Sequence, residues 1–260
     1  MNFFIMVSLI LSVLLGIFRG IDLALLTDAE TGLCIVGSVW LRYGALAVAV
    51  GAAVAAGRGG QPKPDALRGH CTPSGVVALA AAVCYGEAAV LRILWMHSSV
   101  VMLLRAVLEA LCAFWMIGLG LSWLRRGWKN PTRSLTPAVL GSVIFYWCVL
   151  ARFMENSSSW HRVQPTAAVW QELAALLFLA ALARTLYLPQ PENGRTLHAA
   201  ALAAFCLCLC WELPRVFLLL AAGFSGSAAA VLPELLSGLA LCCIGGMGLD
   251  CIGKGNAGNN

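Results

Sequence analysis

Residues 196–222 read TLHAAALAAFCLCLCWELPRVFLLLAA, an apolar run whose only formal charges are Glu212 and Arg215. About 20 such residues in a helix cross the hydrocarbon layer of a bilayer. A surface helix of a soluble protein would show one polar face, and a run this apolar on every side is buried or in lipid. The segment therefore reads as a membrane span. Windows of the same character recur along the chain, at approximately 3–26, 33–56, 75–97, 100–124, 136–155, 166–188 and 228–250. The expected fold class is an all-α integral membrane protein of about eight transmembrane helices arranged as four helical hairpins. Residues 1–260 form one polytopic membrane domain ending in a short polar tail at 251–260. The first window lacks a basic n-region and is too long for a signal h-region, so it reads as a retained helix.

Composition agrees. Of 260 residues, 60% are hydrophobic and 11% charged, with a mean hydropathy of +0.84. Soluble domains carry roughly 25% charged residues. No polar stretch is long enough for a separate soluble domain, which excludes most enzyme classes, nucleic-acid binders and secreted modules. The net charge of +5 reflects loop composition and does not signal a nucleic-acid partner. Arg58, Lys63 and Arg68 lie against Asp65 alone in one connection, Arg125, Arg126, Lys129 and Arg133 in another, and Arg184, Arg195 and Lys254 at the remaining ends of the same side. The opposite connections hold Asp28 and Glu30, His97-Ser98-Ser99, or a single Arg162. Because Lys and Arg are retained in cytoplasmic loops, both termini are expected in the cytoplasm and the protein in the plasma membrane. Asn156-Ser157-Ser158 is a glycosylation sequon on the expected outer side.

Comparing the hairpins suggests a parallel internal repeat. Arg19, Arg92, Arg152 and Arg215 close the first helices, and Arg42, Glu109, Glu172 and Glu234 follow the start of the second. The first set is spaced by 73, 60 and 63 residues and the second by 67, 63 and 62. The period near 63 is that of a two-helix unit with its loops, and hairpins 2 to 4 match it better than hairpin 1, where Arg42 stands in place of Glu.

The charges inside the apolar windows are the informative minority. Arg19, Arg42, Arg92, Arg105, Arg152 and Arg215 stand against Asp22, Glu87, Glu109, Glu172, Glu212 and Glu234. An unpaired charge at the bilayer centre costs about 2.5–3.5 kcal/mol on insertion scales, so these groups must pair, line a hydrated cavity or reach the interface. The expected ion pairs are Arg92 with Glu109, Arg152 with Glu172, and Arg215 with Glu234, each within one hairpin. Arg105 and Glu109, four residues apart, share a helix face. Glu87 and Glu212 lie deeper. Pro214 and Pro233 remove backbone hydrogen bonds near Glu212, Arg215 and Glu234, and interrupted helices beside charges often line transporter sites. The candidate ligand-binding or ion-pair residues are thus Glu87, Arg92, Arg105, Glu109, Arg152, Glu172, Glu212, Arg215 and Glu234.

Two functional readings follow. One is an outward-facing charged cavity for small-solute transport or ligand sensing, with a small anionic or zwitterionic solute as partner besides the lipid bilayer. The other is a non-catalytic subunit whose intramembrane ion pairs organise assembly with a partner membrane or cytoplasmic protein. No catalytic motif is recognisable, so no catalytic residue is assigned, and a membrane-embedded enzyme is a third reading with no motif behind it. No cofactor or metal site is expected either: the 11 cysteines follow no zinc or redox spacing. Cys206, Cys208 and Cys210 would fall on opposed faces of a helix, and Cys242-Cys243 lie in an apolar run, so all read as packing residues. His70, His97, His161 and His198 sit near helix ends. Gly245-Gly246-Met247-Gly248 reads as a close helix contact. Trp40, Trp95, Trp123, Trp128 and Trp160 are expected at the interfaces, with Trp115, Trp147, Trp170 and Trp211 in the core.

Overall fold

The computed structural model describes residues 3–28, 33–57, 67–95, 99–126, 129–130, 134–154, 162–188, 190, 193–221 and 228–257. Among them the only β pairing is an isolated bridge between Thr27 and Cys34. The rest of the regular structure is helical. Among the described residues, seven helices are long and apolar enough to cross a membrane: α1 (Phe3–Leu26), α2 (Val39–Gly57), α3 (Thr72–Trp95), α4 (Val100–Leu124), α6 (Val163–Tyr187), α7 (Asn193–Ala221) and α8, whose apolar part is Val231–Lys254. Between α4 and α6 lies α5 (Thr136–Met154), with the shorter apolar stretch Thr136–Arg152. Helix α8 runs Ala228–Ala257, so the expected polar tail continues the helix with Cys251 and Ile252 buried. The second helix begins at Val39 instead of 33, because Thr27 and Cys34 pair and Gly37 adopts φ +88° in the turn between them and α2.

The helices are not equivalent. In α1 a third of the apolar window is buried, against 56% in α7 and 67% in α8. α7 touches α1, α2, α6 and α8, while α8 packs on α3 and α7. From α3 the chain proceeds through α4, α5 and α6 back to α7, enclosing α8 in an arc, and α1 and α2 cover the other side of α7. Central placement explains why Cys206, Cys208 and Cys210 are all buried although a spacing of two points them to different faces. That stretch of α7 is packed on all sides, whereas Phe217, Leu218 and Leu220 nearer its end are exposed.

Close packing of these helices rests on small residues, since in lipid there is no hydrophobic drive between apolar surfaces and contact distance decides association. A methyl group at Gly245 would fall 2.7 Å from the Leu209 backbone nitrogen, and one at Gly248 2.7 Å from the Ala201 carbonyl oxygen. The Gly-rich segment is thus the α8–α7 contact. Gly75 and Gly120 play the same part between α3 and α4.

Pro214 illustrates how one residue shapes two helices. It cannot donate to the carbonyl four residues back, which is that of Cys210. The preceding turn Phe205–Trp211 widens to a π-helical register, and the Cys210 carbonyl lies where a methyl group on Gly16 of α1 would approach it to 2.6 Å. Only glycine permits that approach. The interface tryptophans divide: Trp40 and Trp95 are exposed, whereas Trp123, expected at an interface, is fully buried and donates to the Leu67 carbonyl at 3.0 Å. Its position near a helix end does not decide exposure, because residues 67–71 fold back over it. Trp115 and Trp211 are buried as expected, while Trp147 and Trp170 are half-buried. Trp128, Trp160, His97, His161 and Asn156 lie outside the described residues.

Candidate functional site

Helices α4 to α8 surround a cavity of about 100 Å³. Arg105 reaches it from α4, Arg152 from α5, Gln171 and Glu172 from α6, Glu212 and Arg215 from α7, and Glu234 and Ser237 from α8. Six of the nine candidate residues line the cavity, and two more, Arg92 and Glu109, bond directly to residues that do. The ninth, Glu87, does not join them.

The network is a closed ring of alternating charge. Arg92 donates from Nε to Glu109 Oε2 at 3.0 Å, and Arg105 Nε lies 3.2 Å from Glu109 Oε1. On the other side, Arg92 Nη2 and Arg105 Nη1 reach the same oxygen of Glu234 at 2.9 and 3.0 Å. Two arginines and two glutamates sum to zero. Arg92 and Glu109 are each 1% exposed, and the Ser237 hydroxyl sits between them, 3.3 Å from Arg92 Nη2 and 3.2 Å from Glu109 Oε1. Charge-assisted bonds of this kind offset the desolvation of each group only when both partners are held. Here three helices hold them: α3 supplies Arg92, α4 supplies Arg105 and Glu109, and α8 supplies Glu234 and Ser237.

A second cluster adjoins the ring. Arg215 donates from Nη1 to Glu212 Oε1 at 2.6 Å, within one turn of α7. The other Glu212 oxygen accepts from Gln171 Nε2 at 2.8 Å, and Gln171 also donates to the Leu207 carbonyl at 3.1 Å in the widened turn. Gly238 of α8 leaves room for this carboxylate, since a methyl group there would sit 2.9 Å from Glu212 Oε1.

A third cluster lies between α1, α2 and the cavity. Asp22 is fully buried and accepts from Arg19 Nη1 and Arg42 Nε, both at 2.7 Å. Arg19 also donates to Gln164 Oε1 at 2.6 Å, and its guanidinium lies 4.6 Å from the centre of the Trp211 ring. Gln164 in turn lines the cavity, so the α1 cluster reaches the cavity wall.

The expected pairs fare unequally. Arg92–Glu109 and Arg105–Glu109 form as expected. Arg215–Glu234 does not: Arg215 takes Glu212, three residues away on its own helix, and Glu234 turns to Arg92 and Arg105. Local geometry wins because an i,i+3 pair needs no alignment between helices. Arg152 and Glu172 both line the cavity, but no ion pair joins them among the described residues, and Glu172 has no hydrogen-bond or ion-pair partner there. Glu87 is exposed on the outside of α3 among the exposed Val83, Val90 and Leu94. Its spacing from Arg92, five residues, puts the two on different faces.

Sequence reasoning missed Gln164, Gln171 and Ser237 as site residues because neutral amides and hydroxyls are unremarkable in membrane helices. Gln171 carried one signal, an amide beside Glu172 in an otherwise apolar run. Among the described residues no three His, Cys, Asp or Glu side chains gather as a metal site. Comparison of the chain with known protein families, with characterised proteins and with solved structures finds no match.

Proposed function

We propose that this is an eight-span protein of the plasma membrane with cytoplasmic termini, whose cavity binds a small solute from the outer side in transport or sensing. As the eighth span, α5 has 19 residues and a length of about 28 Å, close to the hydrocarbon thickness. An even number of spans puts both termini on one side, and the basic connections 57–74 and 125–135 favour the cytoplasm for that side. The recurrence of charges about every 63 residues supports descent of the four hairpins from one two-helix unit.

The solute class follows from the lining. Glu172 faces the cavity without a partner among the described residues, while Glu212 and Glu234 are already engaged. That single carboxylate is the observation that carries the proposal. A half-buried carboxylate with only the longer-range attraction of Arg105 and Arg152 is incompletely compensated, and an ammonium group entering the cavity would neutralise it. Arg105, Arg152 and Arg215 line the same space, and although Arg105 and Arg215 are paired with Glu234 and Glu212, their remaining N–H groups suit a carboxylate or phosphate at the other end of the solute. With three basic and three acidic side chains on its walls, the cavity favours a zwitterion over a simple anion. A volume of about 100 Å³ is well below the roughly 300–1,000 Å³ of pockets for drug-sized ligands, so the solute has few heavy atoms.

The test is binding by the purified protein to glycine, acetate and methylammonium, each carrying one or both charges. Glycine is expected to raise the melting temperature most, and Glu172→Gln and Arg215→Ala are each expected to remove the effect while the protein still expresses and runs as one species. Equal or absent responses to all three probes would reject the zwitterion.

Glu87 favours a second reading, in which a lipid-facing charge marks contact with a partner membrane protein. Its neighbours on that face are apolar and exposed, and about eight residues of helix separate it from the end of α3, roughly 12 Å. Crosslinking from this face in native membranes, abolished by Glu87→Leu, would support assembly as the role of the chain.

A further inference from the structure

Two apolar grooves open on either side of α6, away from the charged cavity, and both end at one side chain. The first, about 290 Å³, lies between α5 and α6 and is walled by Leu135, Val139, Leu179 and Ala183. The second, about 400 Å³, lies between α6 and the α2–α7 side and is walled by Val54, Leu177, Ala199 and Ala203. Ala180 and Arg184 belong to both.

The sequence of α6 produces this shape. Leu177, Ala180 and Arg184 are three and four residues apart, which aligns them on one exposed face. Ala180 is a low crest between the two grooves, and alanines on the flanking helices keep both walls shallow. From Leu177 to Arg184 the grooves follow the helix for about 10 Å. Arg184 lies in the last turn of α6, exposed, and its guanidinium makes no hydrogen bond or ion pair among the described residues.

Two apolar channels that share one cationic cap match a molecule with two hydrocarbon chains and one anionic head. We propose that Arg184 binds the phosphate of an anionic phospholipid whose two acyl chains straddle α6 at Ala180. The planar guanidinium presents paired donors in the spacing of phosphate oxygens. The site also lies at the end of the bundle that carries Arg125, Arg126, Lys129 and Arg195, where basic residues draw anionic lipid toward the bilayer surface. This site is separate from the solute cavity and does not depend on the reading given to it.

Native mass spectrometry of the detergent-purified full chain, titrated with phosphatidylglycerol, phosphatidylcholine or inorganic phosphate, tests the assignment. Phosphatidylglycerol is expected to remain bound at collision energies that strip phosphatidylcholine, and Arg184→Gln to weaken it about tenfold, as expected for one lost charge-assisted contact. Ala180→Trp, which raises the crest, should reduce retention of both lipids. Equal retention of the two lipids by the natural chain would overturn the proposal without any variant. So would unchanged binding in Arg184→Gln, or displacement of the lipid by phosphate alone.

Discussion

At the scale of single residues, the charged ring and the glycine beside it make separable predictions. Arg92 and Glu109 are buried, and although Glu109 keeps Arg105 and Arg92 keeps Glu234, removing either one leaves the otherwise neutral ring with an uncompensated charge. Arg92→Met is expected to destabilise the protein by about 3–5 kcal/mol, and Arg92→Met with Glu109→Leu by clearly less, since paired removal avoids an uncompensated buried charge. Denaturation in mild detergent measures both. If the double variant is no better than the sum of the two singles, the ring contributes nothing as a unit. Gly238→Ala acts differently. Its methyl group would press on Glu212 Oε1 at 2.9 Å and Val216 Cγ2 at 3.1 Å. The expected result is weaker glycine binding with little change in melting temperature. Glu87→Leu should raise stability in bilayers, because it removes a carboxylate from an exposed apolar face.

At the scale of elements, α7 carries the most consequence per residue. Pro214 leaves the Cys210 carbonyl unclaimed along the helix, the turn before it widens, and Gly16 of α1 closes on that carbonyl. Gly16→Ala must therefore separate α1 from α7, at an expected cost of about 1–3 kcal/mol, typical of overpacking. Thermal unfolding of that variant, beside Gly51→Ala as a control at a position with open space around it, isolates the contact. Equal melting temperatures for the two would show that the approach is not tight. The widened turn also aims the Leu207 carbonyl at Gln171, which then holds Glu212. Local backbone register, set by one proline, thus positions a charged side chain at the cavity.

At the scale of the whole molecule, orientation is the exposed prediction. With Arg125, Arg126 and Lys129 beside α4, a fluorescent protein fused to the C-terminus should fold and fluoresce, while alkaline phosphatase fused there should be inactive. The reverse pattern would invert the bundle and turn the charged cavity toward the cytoplasm. The fold was largely legible before any coordinates. The windows at 100–124 and 136–155 fall within a residue of α4 and α5, because a bilayer demands an apolar run of set length wherever a helix crosses it. The ring was half legible: Arg105 and Glu109 follow from helical spacing, and Arg92–Glu109 from neighbouring helices joined by a short turn. Glu234 could not be assigned to Arg92, since that contact joins positions 142 residues apart and depends on α8 packing against α3. The sequence by itself determined that the chain is a helical membrane protein and that its few intramembrane charges must be compensated, because hydrocarbon penalises both bare backbone and bare charge. Only the tertiary structure decided which charges compensate one another, that Glu172 faces the cavity and that Glu87 faces outward. Helix periodicity sets which residues share a face, but which face meets which neighbour is decided by packing.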